Sequence, residues 1–218
     1  MRLFAVRAVR LGIASTFLCG CSGVRYPHYY ELSAPATIAR GNTAPPLIPL
    51  VAVRQFDAPP FLRSGPIAYR ESPKRLGFYP YDRWAVDPRR SVTSAMISDL
   101  QATGVFQSVG QFKGHSTPEC IMTGTIDHLE EVDKGKSVSI DVKVSARLID
   151  FKTGEILWQG SASSEAVVEQ RSVPGVVSQL SLELGSAIEQ LTSSMQDHLR
   201  SSPPRISHQT QPSSSNYP

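Results

Sequence analysis

Val138-Ser139-Ile140-Asp141-Val142-Lys143-Val144-Ser145-Ala146-Arg147-Leu148 alternates strictly between apolar and polar side chains. Because successive side chains of a β-strand point to opposite faces, this period of two predicts a long strand with one face buried and the other in water. The neighbouring segments 120–130 and 156–160 are joined to it by the turn-forming stretches 133–136 and 150–155. We therefore predict an antiparallel meander of three strands.

Two helices are predicted to cover this meander. The first begins at Asp87-Pro88, with Asp as N-cap and Pro in the first turn, and ends at Gly104. The second follows Ser172 as N-cap and carries one apolar stripe at spacings of three or four residues. The stripe consists of Val173, Val176, Val177, Leu180, Leu184, Ile188, Leu191 and Met195. Since such a stripe must be buried, the predicted fold class is α+β: a single domain with an antiparallel β-sheet and two helices packed on one face.

Shorter apolar or aromatic segments flank the first predicted helix. Residues 50–53 and 67–70 are predicted strands, and 78–81 is predicted to form a hairpin with the second of them. Residues 105–106 are expected to be extended. The segment 29–32 is predicted to dock on the domain as an edge strand.

The N-terminus has the anatomy of a signal peptide. Three arginines accompany the apolar run 11–18, which is well short of the roughly 20 residues that a membrane-spanning helix needs. The run ends in Leu18-Cys19-Gly20-Cys21, where a small residue precedes a cysteine whose thiol can accept a lipid. We predict that Cys21 carries a covalent lipid, such as palmitate, and becomes the first residue of the mature chain.

The chain divides into four predicted segments. Residues 1–20 form the lipoprotein signal peptide, 21–46 a lipid-anchored tether, 47–200 the folded α+β domain, and 201–218 a disordered tail. The tether is rich in Ser, Ala, Pro and Gly, which disfavours regular structure. The tail has too little apolar surface to offset the entropy of ordering it.

The charge of the mature chain is balanced. The whole chain has 22 Lys+Arg and 19 Asp+Glu, and the first twenty residues contain three arginines and no acidic residue. Removing them leaves equal numbers of basic and acidic residues and no basic tract, so no nucleic-acid partner is expected. Beyond Cys21 the mature chain has Cys120, which we expect to be buried as a small hydrophobe.

The sequence lacks the motifs of common enzymes: the Gly-x-Ser-x-Gly elbow, His-Glu-x-x-His, a Walker-type loop and Cys-x-x-Cys. Its histidines stand apart at spacings unlike those of metal ligands, so no metal and no cofactor besides the lipid on Cys21 is expected. Glu130, Glu131 and Asp133 are expected to form the solvated end of a hairpin. We predict that the protein is not an enzyme. An anchored hydrolase is the least favoured alternative, because no spacing of Ser, His and Asp forms a triad.

A group of aromatic residues is the best candidate for a functional surface. It consists of Tyr69, Phe78, Tyr79, Tyr81 and Trp84, with Arg70 and Arg83 among them. Aromatic residues and Arg dominate protein–protein hot spots, but aromatic residues also form small cores. The interleaved arginines favour a partner-binding surface. Its predicted members are Tyr69, Tyr81, Arg83 and Trp84.

The order of these features resembles the ABC-type transport auxiliary lipoprotein family, the PqiC-like proteins that accompany MCE-type lipid transport systems. The resemblance rests on Tyr29-Tyr30-Glu31-Leu32, Val51-Ala52-Val53, Pro60-Phe61-Leu62, Ile67-Ala68-Tyr69-Arg70, Arg83-Trp84, Gly104-Val105-Phe106-Gln107-Ser108-Val109, a Trp in the last strand, and the terminal helix. Two features depart from the family pattern. Trp84-Ala85-Val86-Asp87-Pro88 replaces a Trp-Ala-Glu continuation, and the Ser/Pro tail is additional.

The resemblance implies a non-enzymatic periplasmic accessory component that helps to transport phospholipid or another hydrophobic solute. Its implied partners are the membrane, through the lipid anchor, and an MCE-domain protein with an ABC permease and ATPase on separate chains. The family also implies a homo-oligomeric ring. Because inner-membrane retention in many proteobacteria calls for Asp after the lipidated cysteine, Ser22 favours the periplasmic face of the outer membrane of a Gram-negative bacterium over the inner membrane. The alternative function is an envelope-assembly lipoprotein for lipopolysaccharide or outer-membrane protein insertion.

Overall fold

The computed structural model describes residues 25–35, 44–63, 65–115 and 117–204. The predicted signal peptide, Cys21 and nearly all of the predicted tail lie outside the described residues. The described chain contains β1 (His28–Tyr30), β2 (Ile48–Val53), the 3-10 turn Pro60–Arg63, β3 (Pro66–Ser72), β4 (Arg75–Trp84), α1 (Pro88–Thr103), β5 (Phe106–Gln111), β6 (Cys120–Asp133), β7 (Val138–Asp150), β8 (Ile156–Val167) and α2 (Val173–Ser201). None of the described helices is long and apolar enough to cross a membrane.

Strands β6, β7 and β8 form the predicted antiparallel meander. In its register Val144 lies between Ile126 and Ala162, and all three side chains are buried. The apolar residues of β7 therefore face the core and its polar residues face outward, as the period of two predicted. The alternation of apolar and polar residues was therefore sufficient to predict the meander.

The rest of the sheet branches at β6. One edge of this long strand pairs with β7, while its other edge pairs with β2 near Met122 and with β3 near Glu131. The strand order along the branched path is β1-β4-β3-β6-β2-β5. The pairings β1–β4, β2–β5, β2–β6 and β3–β6 are parallel, so the sheet is mixed. The α+β class is confirmed, and the predicted hairpin of β3 with β4 is antiparallel.

The predicted helix boundaries agree with the structure. The side chain of Asp87 accepts a hydrogen bond from the backbone N–H of Arg89 at 2.9 Å, and Gly104 ends α1 in the left-handed conformation with φ 65°. The side chain of Ser172 accepts from the backbone N–H of Gly175 at 3.3 Å at the start of α2. Each cap satisfies backbone groups that a helix terminus leaves without partners.

One hydrophobic core joins the helices to the inner face of the sheet. The apolar stripe of α2 packs on β7 and β8, and α2 also packs against α1. The Thr192 hydroxyl of α2 donates a hydrogen bond to the buried Asp99 carboxylate of α1. Cys120 is fully buried, as expected, and burial raises the pKa of its thiol to about 12.

Candidate interaction surface

The four residues predicted to bind a partner do not share one surface. Trp84 is 6% exposed and belongs to the hydrophobic core, which corrects the expectation that it lies on a surface. It is the last residue of β4, whose first residue, Arg75, is exposed. Tyr81 is 40% exposed, and Tyr69 and Arg83 are partly buried.

Tyr69 takes part in an internal aromatic contact. Its ring lies over Gly77, its cross-strand partner, where any added Cβ would overlap the ring. The centroid of the Tyr69 ring is 5.0 Å from that of Tyr79. The Tyr79 hydroxyl in turn donates a hydrogen bond to Glu131 Oε2 at 2.6 Å. This contact connects β4 to β6 across the intervening β3.

Of the three acidic residues expected to be solvated at the end of β6, Asp133 is partly exposed, but Glu130 and Glu131 are buried. Glu130 and Glu131 are 2% and 5% exposed. Arg70 donates to both carboxylate oxygens of Glu130, at 2.5 and 2.9 Å. Burial raises the pKa of Glu131, while its hydrogen bond from Tyr79 acts in the opposite direction. Burial also raises the pKa of Tyr79, and its carboxylate partner adds to that shift.

One group of side chains has ligand atoms close enough to hold a metal ion. Atoms of His128, Glu130 and Asp141 lie within 4.8 Å of one another. Asp141 accepts or shares a hydrogen bond with His128 Nδ1 at 2.6 Å, and both oxygens of Glu130 are bonded to Arg70. Since a cation would have to displace the Arg70 guanidinium, the arrangement fits a pair of ionic contacts better than a metal centre.

Four exposed aromatic residues lie on β1, β4 and the residues just before β1, whereas Phe151 is exposed in the turn between β7 and β8. Tyr26, Tyr29, Phe78 and Tyr81 are 77%, 63%, 45% and 40% exposed, and we call them the aromatic surface residues. The Arg25 guanidinium lies 5.7 Å from the centre of the Tyr81 ring, within the range of a cation–π contact. The parallel pairing of β1 with β4 brings Tyr29 beside Arg83. The sequence could not reveal this grouping because the pairing spans more than fifty residues.

The outer face of the meander, opposite the helices, is polar. It contains a shallow depression of about 500 Å³ that crosses β6, β7 and β8. Thr125, Ser145 and Ser161 are paired in one row across it, and Arg147 lies in the adjacent row. The Ser145 hydroxyl donates a hydrogen bond to Asp127, the extra residue at the β6 bulge. Small hydroxyl groups on a sheet face of this kind define no catalytic group by themselves.

The described chain is a mixed sheet with both helices on one face and a docked N-terminal strand. The family model described as "ABC-type transport auxiliary lipoprotein component" matches residues 30–196, and the chain belongs to this family. The resemblance given by the sequence motifs is thereby confirmed. The family is an auxiliary transport component and not an enzyme family. No curated protein matches the sequence.

Solved structures support the same fold. A Xanthomonas campestris protein of the DUF330 family superposes with a TM-score of 0.68 at 14% identity, over 80% of this chain and 97% of that one. An uncharacterised protein gives a TM-score of 0.59 at 13% identity, over 80% of this chain and 99% of that one. The PelC dodecamer from Paraburkholderia phytofirmans gives 0.44 at 17% identity, over 68% of this chain and 92% of that one. At this level of likeness the assembly of PelC does not transfer to this chain.

Proposed function

We propose that the protein is a non-enzymatic, lipid-anchored periplasmic accessory component of an ABC/MCE-type system that transports phospholipid or another hydrophobic solute. The family match over residues 30–196 carries this proposal. The Leu18-Cys19-Gly20-Cys21 motif supports a covalent lipid on Cys21. Cofactors other than this lipid have no part in the proposal, because binding and tethering need none.

The proposed partners are an MCE-domain protein and an ABC permease with its ATPase. Tyr81 and Arg83 remain the proposed contact residues, since the structure exposes Tyr81 and places Arg83 beside Tyr29 on the same strand pair. Aromatic side chains flanked by Arg are typical anchors of protein interfaces. A homo-oligomeric ring at the outer membrane is part of the same proposal.

Co-purification tests the proposal. The protein is expressed from its own locus, extracted in detergent, and its partners are identified by mass spectrometry, with Tyr81→Ser as the variant. Ile156→Ser is the matched control, because Ile156 is 49% exposed, similar to Tyr81 at 40%, and lies on β8. We expect MCE and ABC subunits with the unmodified protein and with the Ile156 variant, and a reduced yield of them with the Tyr81 variant.

Other results would count against the proposal in separable ways. Absence of any MCE or ABC subunit from the unmodified preparation would contradict the transport role. Recovery of an outer-membrane β-barrel instead would support the envelope-assembly alternative. An equal loss of partners in both variants would contradict the contact site on β4 and leave the transport role standing.

A further inference from the structure

Exposed lysines gather at one end of the sheet. Strands β3 and β6 are parallel, with Tyr69 beside Glu131, so the turns that follow them lie at the same end. The turn after β3 carries Lys74, and the turn after β6 carries Lys134 and Lys136. All three lysines are exposed, and none of them is in an ion pair with another described residue. We call Lys74, Lys134 and Lys136 the basic end.

The acidic residues at this end are largely compensated. Glu71 pairs with Arg75 at 2.7 Å, and Asp133 pairs with Arg171 at 3.3 Å. Glu169, exposed in the connection from β8 to α2, and Glu131, buried near the end of β6 with a hydrogen bond from Tyr79, also lie at this end. Three lysines against these two carboxylates leave a local excess of positive charge, although the mature chain as a whole is balanced.

The direction of β1 points the chain that precedes it toward the same end. β1 runs parallel to β4, with His28 beside Asp82. Asp82 lies seven residues after Arg75, where β4 begins at the basic end, and His28 lies seven residues after Cys21. Seven extended residues span at most about 25 Å, so a fully extended chain before β1 would place Cys21 level with the start of β4.

We infer that the basic end lies against the bilayer and binds the anionic phosphate headgroups of phospholipids. The inference rests on the proposed lipid at Cys21. Lysines are attracted to an anionic surface, and the attraction falls off within about 8 Å at physiological salt, so only residues held at the surface take part. In this orientation β3, β4 and β6 run roughly perpendicular to the membrane surface. Tyr81, about 20 Å from the start of β4 at the rise of a strand, stays clear of the headgroups for a protein partner.

Depth-dependent fluorescence quenching tests the orientation. The full-length protein is isolated as the mature lipoprotein, with Lys74→Cys carrying an environment-sensitive label. Lys152→Cys is the matched control, because Lys152 lies in the turn between β7 and β8, at the opposite end of the meander. Cys120 is 0% exposed and does not compete for the label. Both labelled proteins are reconstituted in vesicles of phosphatidylethanolamine and phosphatidylglycerol that contain headgroup-spin-labelled lipid.

We expect a blue shift and quenching of the label at position 74 and neither at position 152. Lys134→Glu with Lys136→Glu should abolish the quenching at 74. Lys113, just after β5, and Lys143, within β7, are exposed lysines outside these turns, so Lys113→Glu with Lys143→Glu, an equal change of charge, should preserve the quenching. Phosphatidylcholine alone should weaken the effect. Quenching at 152, or at neither position, would overturn the orientation. A shift at 74 that needs added transport subunits and is absent in pure lipid would assign the basic end to a protein.

The anchor is checked in the same preparation. Mass spectrometry of the N-terminal fragment reports the lipid on Cys21 directly. A lipidated chain whose position 74 is unquenched would contradict the orientation alone. A chain without lipid on Cys21 would contradict the anchored function proposed above, whatever the label reports.

Discussion

From the sequence, Trp84 could belong either to a partner-binding surface or to a small aromatic core, and its burial decides for the core. Its side chain is 6% exposed, within the core. Its indole Nε1 is buried and has no hydrogen-bond partner among the described residues. We expect Trp84→Ala to lower the free energy of unfolding by about 3–5 kcal/mol, as for other buried large-to-small changes. Trp84→Phe should cost clearly less, because it keeps most of the ring and removes the unbonded donor. Urea unfolding measures both.

The same variants separate packing from recognition. Partner yield per folded molecule should be unchanged in Trp84→Phe. If Trp84→Phe reduced the partner yield and left the unfolding midpoint unchanged, Trp84 would instead contact the partner. Equal destabilisation by both substitutions would show that the indole N–H has a bonding partner in solution.

Gly124 and Gly110 both lie in strands and differ in what an added methyl group would meet. A Cβ at Gly124 would overlap the Phe56 ring, which is 1% exposed, whereas a Cβ at Gly110 would meet no atom within 4 Å. We expect Gly124→Ala to lower the free energy of unfolding by about 1–3 kcal/mol through overpacking. Gly110→Ala is the matched control and should leave stability unchanged or slightly increased. Thermal unfolding of the two variants checks this, and equal midpoints would contradict the close packing of Phe56.

At the scale of elements, periodicity and caps were predictable because each depends on residues near one another in sequence. Asp87, Gly104 and Ser172 mark helix ends through interactions within one turn. The alternation of apolar and polar residues in β7 predicts which face of the strand is buried. The branching of the sheet at β6 depends on which distant strands occupy the free edge of one long strand, and no local pattern encodes that choice. Glu130 and Glu131 were misassigned to solvent for the same reason: their partners, Arg70 and Tyr79, come from a hairpin about fifty to sixty residues earlier.

Burial of Glu131, which bonds to Tyr79 of the β3–β4 hairpin, makes the attachment of this hairpin sensitive to pH. The folded protein raises the pKa of Glu131. Below the ordinary pKa of glutamate both folded and unfolded chains hold the proton. As pH rises above it, the unfolded chain releases the proton first, so stability falls until the pKa of the folded state is passed. We expect Glu131→Gln to increase the free energy of unfolding near neutral pH, with a difference that disappears in acid.

Denaturant unfolding across this range measures the effect. Tyr79→Phe is the complementary variant: it removes the donor to a buried carboxylate and should lower stability near neutral pH more than in acid. A pH-independent difference between Glu131→Gln and the unmodified protein would contradict the raised pKa. It would indicate that the change acts through packing alone.

At the scale of the whole molecule, the residue after the lipidated cysteine is proposed to set the membrane on which the domain stands. Ser22 is uncharged, and the sorting route that retains lipoproteins at the inner membrane in many proteobacteria calls for Asp there. We expect Ser22→Asp to move the protein from the outer to the inner membrane, with the lipid on Cys21 unchanged in mass. Ser22→Ala should remain in the outer membrane. Density-gradient separation of the two membranes measures both.

This relocation also tests the transport proposal, because the domain itself is unaltered. Residue 22 lies in the predicted tether, six residues before β1, so folding and the basic end should be the same on either membrane. If the accessory role requires the outer membrane, the yield of MCE and ABC subunits should fall in Ser22→Asp while the unfolding midpoint stays constant. Unchanged recovery of those subunits would show that partner binding does not require the outer membrane. An unmodified protein found at the inner membrane from the start would contradict the proposed localisation and leave the anchor and the fold untouched.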